Sequence, residues 1–253
     1  MATSRRAPAD FLSDLLIPGQ TLRDAGDGVW SVFPGEVSGD RYARRARGYD
    51  AVVGSRIYNR IMWGSSPASY AAFARAASAS SEGPMLDAGC GSLVFTADVH
   101  AGSKRPLVLV DRSLGMLRAT RARVLVDGRV PDRIALIQAD ACALPFRSAS
   151  FSTVLSMNLL HLFDDPGPAV SSLVRILTGR GQLFATSLVT ERAIGRWYLA
   201  LLHAAGEMGV PKTAAQVRTA IEQPRAVSRQ VTIATEGSMA FVTARKTSEE
   251  ADR

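Results

Sequence analysis

Residues 85–93 read Met-Leu-Asp-Ala-Gly-Cys-Gly-Ser-Leu, a short apolar run that ends on a carboxylate, passes through a glycine-containing turn and enters a helical stretch. Gly89 and Gly91 permit positive φ and let a ligand approach the backbone, while the amides that open the next helix favour a negatively charged group. Asp87, just before the turn, complements a positive one. A ligand with both charges, such as an amino acid carrying a sulfonium, suits this turn better than a pyrophosphate does.

Downstream of the turn, short apolar runs alternate with helical stretches, the pattern of a parallel sheet covered by helices. The runs at 85–87, 107–111, 134–138, 153–157 and 181–187 read as strands, and 114–126 and 168–177 as helices between them. Two later β-like runs, 229–236 and 239–246, flank Gly237-Ser238, a two-residue turn that joins antiparallel strands. The expected fold is α/β, a doubly wound, seven-stranded, mostly parallel sheet ending in an antiparallel hairpin. Ligands of such sheets bind at the switch point, outside the carboxyl ends of the strands.

Upstream, residues 1–40 are rich in Gly, Asp, Ser and Pro and read as an irregular arm with one short helix. From Asp40 to Ala79 apolar and aromatic residues recur at helical spacing, including Tyr42, Tyr49, Ile57, Tyr58, Ile61 and Tyr70. A break at Trp63-Gly64-Ser65-Ser66-Pro67 places Ser66 as an N-cap and Pro67 at the first helical position. The expected organisation is an arm and helical lid over 1–79, a core over 80–246 and a disordered tail over 247–253.

Two further acids end strands. Asp111 lies 20 residues beyond Gly91, where it can accept hydrogen bonds from ribose hydroxyls, as it would for any nucleoside ligand. Asp140 ends the next strand, suited to an adenine amino group, with the amide of Ala141 beside it for a ring nitrogen. Three consecutive strand ends then address one adenosyl ligand.

The stretches LDAGCGS, VLVDRSLGML, IQADACALPF, FSTVLSMNLLHLFDDP and GQLFATS, in this order and at this spacing, resemble the class I S-adenosylmethionine-dependent methyltransferases, especially the small-molecule branch typified by quinone biosynthesis. The resemblance covers roughly residues 40–246 and implies the Rossmann-like methyltransferase fold, S-adenosyl-L-methionine as cofactor and a small-molecule methyl acceptor. It further implies that Asp87, Gly89, Cys90 and Gly91 line the methionine end and that Asp111 holds the ribose. Arg112 and Met116 would flank the adenosine, Asp140 and Ala141 would take the adenine, Asn158 would meet the methionine portion, and Tyr49 would close a lid helix over the cofactor. The chain departs from the family at Leu93, usually a third glycine, and at Ser152, commonly an acid.

Methyl transfer requires an in-line approach to the sulfonium methyl, so positioning and water exclusion supply most of the rate and a protein base is optional. His161, after the fourth strand, is the candidate base, although the family's histidine at this place often packs and hydrogen-bonds instead. His100 and His203 have no carboxylate or cysteine at metal-ligand spacing and read as surface or helix-packing residues, so no metal is expected. Tyr58, Trp63, Trp197 and Tyr198 either roof an apolar substrate or belong to the core.

A nicotinamide oxidoreductase shares the Gly-x-Gly turn and the acid after the second strand, but Val94 stands where its fingerprint has a third glycine. A protein of the same fold that binds the cofactor without transferring a methyl group is the other alternative, supported by Leu93. A nucleic-acid base methyltransferase would carry an Asn- or Asp-Pro-Pro-aromatic loop where this chain has Ser156-Met157-Asn158-Leu159. The net charge of +7 is spread along an arginine-rich chain rather than gathered into one patch, which does not favour a nucleic-acid partner. No apolar run is long enough to span a bilayer and the first residues make a poor secretory signal, so the expected address is the cytoplasm. The apolar helix around residues 197–202 offers a surface for a homodimer.

Overall fold

The computed structural model describes residues 10–35, 54–224 and 231–247. After a short helix α1 (Leu12–Leu15) come β1 (Arg23–Asp24), β2 (Val29–Ser31), α2 (Arg56–Tyr58, continued by a π-helical turn over Asn59–Trp63) and α3 (Pro67–Ala79). The core then runs β3 (Met85–Ala88), α4 (Ala97–Gly102), β4 (Leu107–Asp111), α5 (Leu114–Val124), β5 (Ile134–Gln138), β6 (Phe151–Met157), α6 (Gly167–Ile176) and β7 (Leu177–Leu188). It finishes with α7 (Ala193–Ala204), α8 (Ala214–Glu222), β8 (Thr232–Glu236) and β9 (Met239–Arg245).

These strands form one sheet in the order β1-β2-β5-β4-β3-β6-β7-β9-β8. Pairs from β2 through β7 are parallel, and β1–β2, β7–β9 and β8–β9 are antiparallel. The chain leaves β3 towards β4 and β5, then returns to β6 on the other side, so the switch point falls at the carboxyl end of β3. Alternate strand residues serve the two faces: Leu86, Ala88, Val108, Val110 and Ile137 pack in one buried cluster, and Met85, Leu107, Leu109, Leu136 and Leu155 in the other. Helices on both faces explain why the central strands read as unbroken apolar runs.

All seven expected strands are present, with β7 beginning four residues earlier than its apolar run suggested, at Leu177 rather than Gly181. The arm is less irregular than expected, because Val29–Ser31 adds to the free edge of β5 and Arg23–Asp24 pairs with it in turn. Ser66 caps α3 through Ala68 N–H, with Pro67 at the first helical position. Tyr42 and Tyr49 lie outside the described residues.

Candidate active site

At the end of β3 the chain folds sharply because the amides of Gly89 and Cys90 both donate to the Val110 carbonyl, at 2.8 and 3.0 Å. Gly89 (φ +68°) has the Leu159 side chain against it: a Cβ there would lie 2.8 Å from Leu159 Cδ1, so the leucine would have to move, and the left-handed backbone would be strained. Gly91 (φ +57°) faces open space, with nothing within 4 Å of a Cβ at that position. Leu93 holds φ +59° although it is not glycine, and it is 2% exposed. It therefore holds a left-handed backbone that glycine adopts more readily, and its side chain fills the core beneath the turn in one buried cluster with Met85, Leu107, Leu109 and Leu117. The Cys90 thiol stays protonated, its pKa pushed well up by burial and by Asp111 and Asp87.

Asp111 ties two loops together: its Oδ2 accepts from Gly91 N–H at 2.8 Å and its Oδ1 from Ser113 N–H at 2.8 Å. These two bonds fix the carboxylate at the end of β4, beside the glycine turn. Met116 is buried behind Ser113, whose hydroxyl caps α5. Arg112 is 69% exposed and stands 3.9 Å from Asp140 Oδ2, a solvated pair of small energetic weight. Asp140 Oδ1 caps the turn over Ala141–Ala143 through Cys142 N–H, and Ala141 is buried beneath it. Gln138 bridges the arm to this end of the site, accepting from Ser31 Oγ at 2.9 Å and donating to the Arg112 carbonyl at 3.0 Å.

Asp87 is 2% exposed, and its Oδ2 lies 2.8 Å from Nε2 of the fully buried His100. Among the described residues its Oδ1 and His100 Nδ1 have no hydrogen-bond partner. His100 is thus neither a surface nor a plain packing residue; it holds the carboxylate that precedes the turn. The reason lies in the fold, since Asp87 points to the sheet face that α4 covers, and α4 carries His100.

Asn158 follows β6 at φ +57°, locked by Thr186 at the end of β7: its N–H donates to Thr186 Oγ1, which donates back to Asn158 Oδ1 at 3.1 Å. His161 is 9% exposed and accepts the Leu188 amide on Nδ1 at 3.4 Å, which leaves its ring proton on Nε2. Burial and the nearby Lys212 ammonium pull its pKa down to about 4, so the ring is neutral at physiological pH and a weak base. Beyond it, Tyr58, Trp63 and Tyr198 pack edge to face or tilted at centroid distances of 5.4–6.5 Å, with the two tyrosine hydroxyls 3.2 Å apart. They join Met157 and Leu188, at the carboxyl ends of β6 and β7, in one cluster. Trp197 does not join them; it is 67% exposed.

Asp87, Gly89, Cys90, Gly91, Asp111, Asp140, Ala141 and Asn158 are therefore brought to the carboxyl ends of the adjacent strands β3, β4, β5 and β6, with His161 one turn further on. Ser152 stands at the opposite end of the sheet, where its hydroxyl accepts at 3.0 Å from the buried Arg105, whose other donors also meet carbonyls and hydroxyls.

Residues 86–185 match the methyltransferase domain family. An uncharacterised chloroplastic methyltransferase of Arabidopsis thaliana is 30% identical over 112 residues, 43% of this chain and 32% of that protein. The chain thus matches about a third of the length of its curated relatives. Among solved structures, the cyclase SpnF superposes with a TM-score of 0.64 at 16% identity, covering 83% of this chain and 95% of that one. Phosphoethanolamine N-methyltransferase 2 of Haemonchus contortus, solved with S-adenosyl-L-methionine, gives 0.62 at 17% identity over 85% of this chain and 61% of its own. Residues 86–185 thus match the methyltransferase domain family, and the strand order and these superpositions agree on the Rossmann-like fold of class I methyltransferases.

Proposed function

We propose that the protein transfers a methyl group from S-adenosylmethionine to a small-molecule acceptor. The observation that carries this reading is the coupling of Gly91 to Asp111: one carboxylate, at the end of β4, positions the open glycine turn at the end of β3. In this reading Asp140 and Ala141 take the adenine, Met116 and Arg112 flank it, Gly89, Cys90 and Gly91 line the methionine end, and Asn158, fixed by Thr186, meets its polar atoms. Held by these residues, the cofactor would supply an electrophilic methyl on a positively charged sulfur.

What the chain's own residues add is position and dryness. Tyr58, Trp63, Tyr198, Met157 and Leu188 wall the acceptor side with apolar surface, which holds an acceptor in line and keeps water out. His161, neutral and fixed to the Leu188 amide, orients the loop after β6 and takes up no second proton at working pH. The acceptor therefore brings a nucleophile that is reactive without a strong protein base.

A second reading shares the cofactor site but forms no methylated product. Leu93 in place of a glycine favours it, and so does the likeness to SpnF, a cyclase. Mass spectrometry of the protein incubated with S-adenosylmethionine and a panel of phenol, amine and quinol acceptors separates the two. Stoichiometric S-adenosylhomocysteine and methylated product support transfer; a bound, unconsumed cofactor with every acceptor supports the second reading.

A further inference from the structure

The outer faces of α2 and α7 carry a group of large apolar side chains over which no other described residue packs. Ile57 is 72% exposed, Ile61 55%, Ile194 45%, Trp197 67% and Leu201 50%. The two segments are neighbours: Tyr58 and Tyr198 meet on their inner sides, and Gly195 lies against Ser238 and the Met62 carbonyl. On α7 the exposed positions fall at residues 194, 197 and 201, a single helical stripe centred on tryptophan.

Positive charge predominates beside this stripe, with the acids Glu191 and Glu207 set beyond the two ends of α7. Arg56, Arg60 and Arg196 are exposed beside it, and residues 54–66 and 192–206 contain no Asp or Glu. We propose that this face seats the protein on the surface of an anionic lipid bilayer, with Trp197, Leu201, Ile194, Ile57 and Ile61 in the headgroup–acyl boundary and the arginines on lipid phosphates. Among the described residues no helix is long and apolar enough to cross a membrane, so the contact lies along the surface. It does not depend on the methyl-transfer reading.

The test uses the full chain with vesicles of phosphatidylcholine, alone or mixed with phosphatidylglycerol. The expected result is co-sedimentation with the mixed vesicles and a blue shift of tryptophan emission that Trp197→Phe removes, since Trp63 is already buried and Trp30 lies in β2, at the other side of the sheet from the β8–β9 hairpin that α7 packs against. Trp197→Ser with Leu201→Ser lowers the partition at least about tenfold, and each of Arg56→Gln, Arg60→Gln and Arg196→Gln lowers it about fivefold. Circular dichroism of these surface variants matches the native chain. Absence of co-sedimentation, or sedimentation unchanged in the double serine variant, overturns the proposal. Equal affinity for pure phosphatidylcholine overturns the anionic assignment. A vesicle-independent dimer that the double variant dissolves assigns the face to a second copy instead.

Discussion

Leu93 joins two opposing energies, and their balance can be read by substitution. Its side chain is 2% exposed, so truncation to alanine removes core packing worth about 3 kcal/mol. Its φ of +59° costs a residue with a Cβ about 1–2 kcal/mol, a penalty that alanine retains and glycine does not. Glycine returns about 0.5–1 kcal/mol of this through its freer unfolded chain. Leu93→Gly is therefore expected to be more stable than Leu93→Ala by roughly 0.5–1 kcal/mol, while both fall about 2–3 kcal/mol below the native protein. Urea unfolding followed by circular dichroism, with equal m-values across the three proteins, measures both differences. An alanine variant as stable as the glycine variant, or either one as stable as the native chain, would refute the reasoning, the first through the backbone term and the second through the packing term.

Gly89→Ala and Gly91→Ala meet the same left-handed backbone but different surroundings, so the first should lower Tm more, through its clash with Leu159, and the second should weaken S-adenosylhomocysteine binding more than it lowers Tm; the opposite ranking would misplace the open side of the turn. His100→Ala leaves the Asp87 carboxylate buried without its partner and should cost about 3 kcal/mol, with part of the loss restored when Asp87→Asn is added; strictly additive losses would show that the pair is not coupled. His161 has a folded pKa of about 4, below its ordinary 6.5, so between those values the unfolded chain binds a proton that the native chain does not. Stability therefore falls as pH drops through this window, by about 3 kcal/mol at its lower end, and the advantage of the native chain over His161→Asn should shrink from pH 7 towards pH 4. A gap constant over that range would contradict the buried neutral ring.

The central sheet was legible because β3, β4, β5 and β6 are buried on both faces and so appear as short apolar runs punctuated by glycine, proline and acids. Asp111 was legible for a similar reason, since both the glycine turn and the acid sit at strand ends whose spacing is set by one βαβ unit. The strand Val29–Ser31 was not, because three residues are too few to show a period and what recruits them is the free edge of β5, more than 100 residues away in the chain. The Asp87–His100 contact joins a strand end to the far end of the next helix, and no side-chain period links positions 13 residues apart. The environment of His161 is made by the Leu188 amide and Lys212, both distant in sequence, so its residue type alone left base and packing roles open. Helical spacing likewise marked Trp197 and Tyr198 as one aromatic group, whereas the structure turns one outward and the other inward.

The claim at the centre of this account is that the turn at Gly89–Gly91 and Asp111 hold an adenosyl sulfonium ligand. Isothermal titration calorimetry of the native chain and Asp111→Ala with S-adenosylmethionine, S-adenosylhomocysteine and NAD tests it directly, with circular dichroism confirming that the variant is folded. The account predicts micromolar binding of both sulfur ligands to the native chain, loss of both in the variant and no binding of NAD. Failure of both sulfur ligands to bind the native chain, or preferential binding of NAD, would contradict it.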